Sequence, residues 1–375
     1  MDKRYIWPFI AADLKSRMVF IGGPRQVGKT TLAQSFIKNY RDGHPAYLNW
    51  DFAEHQNRIR NREWPATEKV IVFDEIHKLH SWRNLVKGYF DVLKRSHQFV
   101  VTGSARLDYY RRGGDSLLGR YRYYRLHPFS LGEVGYTAEN LKKLFRFGGF
   151  PESFFTHDEV FTRRWHIERL HRIIHSDLRD LERVSDIDKV KLLAEELPNR
   201  VGSPLSIKSL ASDLQVDFKT AKRWLGILDM LYYSFQIAPY GAREITAVKK
   251  EQKLYLWDFS QVTEPGTRFE NMVACQLLKY CHFRQDTQGY RMELRFIREK
   301  TGREVDFVVL EDKKPVFAVE CKLNDTNLSQ SVHYLAGRLK GLKFFQLHMG
   351  DVSRQISDQV SIMPFLDFCK YLKLP

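Results

Sequence analysis

Gly23-Pro24-Arg25-Gln26-Val27-Gly28-Lys29-Thr30 decides how the first third of this chain folds. It satisfies the phosphate-loop pattern G-x-x-x-x-G-K-[ST] at every fixed position. The apolar run Met18-Val19-Phe20-Ile21 precedes it and Thr31-Leu32-Ala33-Gln34-Ser35-Phe36-Ile37 follows, which reads as strand, loop, helix. Glycines let such a loop curl so that backbone N–H groups point inward at anionic oxygens, and the helix start adds partial positive charge. Residues Gly23, Pro24, Arg25, Gln26, Val27, Gly28, Lys29, Thr30 and Thr31 are therefore the expected contacts to a nucleoside triphosphate. Lys29 is expected at the outer phosphates, and the Thr30 hydroxyl on Mg²⁺.

Working outward, the chain carries the other parts of a nucleotide machine in order. Ala46–Asp51 reads as a second strand. Lys69-Val70-Ile71-Val72-Phe73-Asp74-Glu75 is a buried-type strand ending in two carboxylates. The first, Asp74, is the expected Mg²⁺ partner, and Glu75 the residue that polarises the attacking water. Gln98-Phe99-Val100-Val101-Thr102-Gly103-Ser104-Ala105 reads as a further parallel strand; either Thr102 or Ser104 is the candidate sensor of the outer phosphate, against plain turn chemistry. Between Tyr109 and Arg125, arginines alternate with aromatics. That pattern suits nucleic-acid contact, a strand, or an arginine finger offered to a neighbouring subunit, for which Arg120 is the candidate.

The 375 residues allow two or three domains, and the formal charge of +15 exceeds what one nucleotide site needs. Nucleic acid is the polyanionic partner this excess predicts. Cys275, Cys281, Cys321 and Cys369 form no paired zinc or redox spacing, which fits a reducing compartment. No apolar run reaches membrane-spanning length, and Ile6–Ala12 is too short for a signal sequence, so a cytoplasmic chain with no membrane partner is expected.

The phosphate loop, the Phe73-Asp74-Glu75-Ile76 strand end, Thr102-Gly103-Ser104, Gly119-Arg120 and Gly148-Gly149-Phe150-Pro151-Glu152 together resemble a prokaryotic family of AAA-type ATPases. Its members carry a C-terminal domain long without an assigned function. The resemblance runs along essentially the whole chain and implies ATP and Mg²⁺ as cofactors, a helical lid after the ATPase core, and a homo-oligomer.

Beyond the core, residues 131–195 read as that lid. Within it Ile167, Leu170, Ile174, Leu178 and Leu181 recur at helical spacing, with arginines opposite. Ser206–Leu214 and Phe218–Leu231 read as two helices followed by the strands Tyr232–Ile237 and Lys253–Trp257. This resembles a winged helix-turn-helix over 196–258. Its second helix presents Lys219, Lys222 and Arg223, either to a DNA backbone or merely to solvent on an internally packed domain.

From residue 259 to 375 the order helix, three strands, helix, strand resembles a restriction-endonuclease-like α/β domain with the PD-(D/E)xK motif. Asp306, Glu320 and Lys322 match its strand positions, Val305 stands where the proline is expected, and Glu270 lies on the preceding helix. The resemblance implies that Glu270, Asp306 and Glu320 hold Mg²⁺ while Lys322 stabilises the phosphorane. Whether such a module cuts DNA or only binds it stays open. The expectation as a whole is an α/β protein: a P-loop ATPase core over 1–130, the lid, the winged helix and the nuclease-like domain, acting on DNA. The competing expectation is a nucleotide-dependent signalling switch whose last domain is an inactive scaffold.

Overall fold

Strand β1 (Met18–Gly22) is buried at every position, as a strand covered on both faces must be. The computed structural model describes residues 4–103, 117–178, 186–241, 252–324 and 327–375. These divide at Pro128/Phe129 into two compact units.

In the first unit β1 belongs to a parallel sheet with β2 (Tyr47–Asn49), β3 (Val70–Asp74), β4 (Gln98–Thr102) and β5 (Tyr121–Arg125), in the order β2-β3-β4-β1-β5. The register Val19↔Val100 and Met18↔Tyr121 places β1 between β4 and β5. The carboxyl ends of β1, β4 and β3 therefore lie side by side, where open α/β sheets bind their ligands. Helices α1 (Trp7–Asp13), α2 (Lys29–Gln34), α3 (Ala53–Asn61) and α4 (Trp82–Leu93) complete the described elements of this unit. Its core includes Phe73 stacked on Phe99 at 5.7 Å, with the Trp64 ring edge-on to both. Each fully buried aromatic contributes about 1.5–3 kcal/mol through apolar burial.

The second unit begins with four helices: α5 (Leu131–Val134), α6 (Ala138–Phe147), α7 (Pro151–Thr156) and α8 (Glu159–Arg172). The expected apolar face of this region is corrected in one respect. Ile174 and Leu178 are buried, but Ile167 is 71% exposed, Leu170 is half-buried, and Leu181 lies outside the described residues. The buried side of α8 is instead Thr162, Trp165 and Arg169. Two causes act. Trp165 packs on Phe150 at 5.2 Å and the Arg169 guanidinium lies 4.3 Å from that ring, so an arginine takes the inward position. A π-helical turn over Ile173–Asp177 then shifts the phase, so positions 167 and 174 no longer share a face.

Helices α9 (Ile187–Glu196), α10 (Ile207–Asp213) and α11 (Phe218–Met230) follow, then β6 (Ser234–Pro239) antiparallel to β7 (Lys253–Leu256). Ser206 and Asp217 cap α10 and α11 by accepting from Ser209 N–H and from Lys219 and Thr220 N–H. The long helix α12 (Pro265–Gln288) leads into β8 (Met292–Arg298), β9 (Glu304–Glu311), β10 (Lys314–Cys321), α13 (Gln330–Arg338), β11 (Lys343–His348), β12 (Arg354–Ser357), β13 (Val360–Pro364) and α14 (Phe365–Leu372). Because β6 pairs in parallel with β8, the hairpin joins the C-terminal strands in one eight-stranded sheet. The hydrogen-bonded sheet thus runs across the division expected at residue 258.

Candidate functional sites

The phosphate loop leaves β1 through Gly23, whose φ of 141° and close approach exclude a side chain: a Cβ there would sit 2.3 Å from the Leu126 carbonyl oxygen. Gln26 (φ 63°) and Gly28 (φ 90°) take left-handed conformations, the curl of a backbone nest. Lys29 is buried, and its ammonium donates to the Gly23 and Pro24 carbonyls at 3.1 and 2.6 Å. Its charge is thereby held inside the loop. Thr31 is exposed at the start of α2.

One carboxylate gathers the rest. Asp74, at the end of β3 and 3% exposed, accepts from Thr30 Oγ1 at 2.8 Å and from Tyr47 OH at 2.7 Å on Oδ2. Thr102 Oγ1, at the end of β4, donates to its Oδ1. The strand order brings Thr30, Asp74 and Thr102 together although 72 positions of sequence separate the first from the last. Next in the chain, Glu75 has a φ of 55°, which swings it off the strand axis. Burial, and then the Asp74 charge, push its carboxyl above the ordinary range; Lys29, Arg25 and Lys78 pull the other way. His77 Nε2 lies 3.7 Å from Glu75. Burial above all, with Lys78, Lys29 and Arg25, lowers the imidazole to about 4, so it is neutral at pH 7.

Arg120 is engaged within the chain: its Nε and Nη2 donate to the two Asp91 oxygens at 2.8 and 3.2 Å. Ser104, the alternative sensor, and the stretch 109–116 lie outside the described residues. Around the phosphate loop, sequence reasoning missed two residues. Tyr47 had a signal, a tyrosine opening the edge strand that pairs with β3, two register pairs before Asp74 (Tyr47↔Val72, Asn49↔Asp74). Arg4 had none: its guanidinium donates to the carbonyls of Val27 and His127, a link across 123 positions.

In the second unit α12 supplies Glu270, β9 supplies Glu304 and Asp306, and β10 supplies Glu320. Asp306 Oδ2 accepts the Cys321 N–H at 2.8 Å, tying it to the neighbouring strand. Lys322 pairs with Glu320 at 2.9 Å. Burial and then Asp306 push the Glu320 carboxyl up to about 7 against the pull of Lys322. Between Glu270 and Asp306 lies a residue the expectation did not include. Lys253 of β7, 1% exposed, places its ammonium 3.2 Å from Glu270, 2.6 Å from Glu304 and 3.4 Å from Asp306. Among the described residues, no group of three or more His, Cys, Asp or Glu is arranged to hold a metal ion. Of the residues expected to hold Mg²⁺, Glu270 and Asp306 meet this lysine, because β7 delivers its side chain between them, while Glu320 pairs with Lys322.

On α11 the residues Ala221, Trp224, Leu225 and Leu228 are buried, whereas Lys219, Lys222 and Arg223 are exposed. The Gly148–Glu152 stretch packs the second unit internally. Asp258 Oδ1 lies 2.8 Å from where a Gly148 Cβ would stand, and Trp165 Nε1 donates to Glu152 at 3.2 Å. Burial alone would raise the Asp258 carboxyl, but His166, Arg169 and Ser260 hold it at about 2. No helix among the described residues is long and apolar enough to cross a membrane.

Residues 15–135, the stretch that carries β1–β5 and the phosphate loop, match the AAA domain family. Residues 138–263 match a domain of unknown function (DUF8612), and residues 265–368 a second (DUF4143). The chain is 24% identical over an alignment of 375 residues to the uncharacterized protein MJ1544 of Methanocaldococcus jannaschii, spanning 90% of this chain and 82% of that protein. It is 23% identical over 248 residues to the uncharacterized protein Rv2008c of Mycobacterium tuberculosis, where the match spans 65% of this chain and only 55% of the relative. Similar solved structures include the Thermotoga maritima RuvB Holliday junction branch migration motor, at 17% identity over 60% of this chain and 85% of that one, with a TM-score of 0.30. The Bacillus subtilis DNA clamp loader delta protein matches at 10% identity over 60% and 88%, also with a TM-score of 0.30. Likeness at that level carries no argument about role. The AAA-domain match and the parallel sheet show an α/β first unit that resembles P-loop ATPases of AAA type.

Proposed function

We propose that this chain binds and hydrolyses ATP with Mg²⁺ at the phosphate loop and uses the cycle to act on DNA. The observation that carries the first half is the convergence of Thr30 and Thr102 on the buried Asp74, beside Lys29 and Glu75. These residues fit the nucleotide and its ion: a curled loop with a buried ammonium, and a hydroxyl–carboxylate pair of the type that holds Mg²⁺ through oxygen. When bound, magnesium supplies charge neutralisation at the outer phosphates. Lys29 then turns its ammonium from the loop carbonyls to the phosphate oxygens. Thr30 and Asp74 would hold the ion, Thr102 fixes the Asp74 carboxylate, and Glu75 would take the proton of the attacking water. The upward shift of Glu75 strengthens it as a base.

DNA as the partner is supported by the formal charge of +15 and the outward face of α11, where Lys219, Lys222 and Arg223 stand exposed. Cations on one exposed helix face contact phosphates and give affinity without sequence choice. Action as a cytoplasmic homo-oligomer, with Arg120 exchanging Asp91 for a neighbour's nucleotide, belongs to the same proposal. The competing role for the last domain, an inactive binding scaffold in place of a cutting module, is favoured by the lysine among its carboxylates.

The test is steady-state ATP hydrolysis by the whole chain. Lys29→Ala should lose on the order of 10²–10³-fold in rate by analogy with other charge-stabilising groups. Glu75→Gln should retain ATP binding while losing turnover. Equal turnover in all three proteins would refute the assignment.

A further inference from the structure

The carboxylates of the C-terminal sheet meet a cation that belongs to the chain itself. Lys253 lies on β7, its side chain 1% exposed, and its ammonium faces Glu270 of α12 and Glu304 and Asp306 of β9 at 3.2, 2.6 and 3.4 Å. An ammonium has three N–H donors and no acceptor, so three carboxylates exhaust it. Most of the acceptor oxygens are committed as well. Asp306 spends its second oxygen on the Cys321 N–H at 2.8 Å, and Glu270 also accepts from Tyr255 OH at 2.7 Å. Glu304 turns its other oxygen to Arg298 at 3.6 Å. The Phe296 ring lies 5.7 Å from the same ammonium.

A divalent ion would need these oxygens to close to about 2.0–2.6 Å around it. It would also need Lys253 to leave, yet the side chain is walled in, and a buried ammonium stripped of its partners is strongly penalised. The expected nuclease metal therefore does not fit the residues present.

We propose that Lys253 is a built-in cation standing in for a divalent metal, so that Glu304 and Asp306, closed by the Glu270 carboxyl, form a filled polar cluster around it and not a metal centre. The C-terminal domain then has no metal-dependent route to phosphodiester cleavage through these residues. Any contact it makes with DNA is binding alone. This deepens the reading of the last domain as a DNA-binding scaffold and stands apart from ATP hydrolysis.

The experiment is a Mn²⁺ titration of the nucleotide-free whole chain, followed by the electron paramagnetic resonance signal of free Mn²⁺. Every protein carries Thr30→Ala and Asp74→Asn so that the phosphate-loop site contributes neither hydroxyl nor carboxylate, which keeps the outcome independent of the ATPase reading. The chain with Lys253 intact should hold no Mn²⁺ with a Kd below about 1 mM, and Asp306→Asn should change nothing. Lys253→Met, which removes the charge and keeps the stem, should acquire one equivalent bound at least about tenfold more tightly. One equivalent bound by the Lys253-intact chain and lost in Asp306→Asn overturns the proposal. A folded Lys253→Met that gains no Mn²⁺ overturns it too. Should Lys253→Met fail to fold, the Lys253-intact chain and Asp306→Asn decide alone: no Mn²⁺ in either upholds the proposal, and a site lost with Asp306 ends it.

Discussion

Asp74 receives hydroxyl donors from a helix start and from two strands, so removing one should leave the carboxylate held by the others. Tyr47→Phe deletes a 2.7 Å hydrogen bond to a charged group. Thermal and urea melts should show a loss of about 1–2 kcal/mol, with turnover reduced less than in Lys29→Ala. Glu75 predicts a pH profile. It acts as a base only when deprotonated, and its folded carboxyl lies above the ordinary 4.5. ATP turnover should therefore fall on acidification with a midpoint above that value. His77, lowered to about 4, is neutral throughout that window, so His77→Gln should leave the midpoint in place. A midpoint that moves with His77 would transfer the base role away from Glu75.

At the scale of elements, α11 and the Gly148 turn make separable predictions. Replacing Lys219, Lys222 and Arg223 by alanine should weaken DNA binding and flatten its salt dependence by about one logarithmic unit per side chain. Unchanged slopes would place the DNA surface elsewhere. Gly148→Ala puts a Cβ at φ 78° and 2.8 Å from the Asp258 carboxylate, and should destabilise the chain by about 1–3 kcal/mol in denaturant titration. The strand–loop–helix around Gly23–Thr30 and the strand ending at Asp74 were legible because buried parallel strands write continuous apolar runs and the loop writes fixed residues. The face of α8 was not, because a cation–π contact brought Arg169 inward and a π turn broke the period after Arg172. Lys253 was visible as a charge at the head of an apolar strand, but its partners lie 17 to 53 positions away, and only the folded sheet brings them together.

For the whole molecule, the charge clusters set the response to pH. Burial and then Asp306 push Glu270 up to about 8 in the folded chain, against 4.5 for an ordinary carboxyl. The folded state therefore binds the extra proton between those values. Its stabilisation is complete below the lower value and is lost as pH rises through the upper one. Melting temperature should drop between pH ~5 and ~9, and Glu270→Gln should flatten that slope. In the proposed function, ATP turnover in the first unit serves DNA contact in the second. The most direct test is ATP hydrolysis by the whole chain with and without single-stranded, duplex and branched DNA at moderate salt, beside Glu75→Gln. The account predicts turnover that rises with at least one of these DNAs and disappears in Glu75→Gln. Turnover that no DNA changes, from a chain that binds none of them, would contradict it.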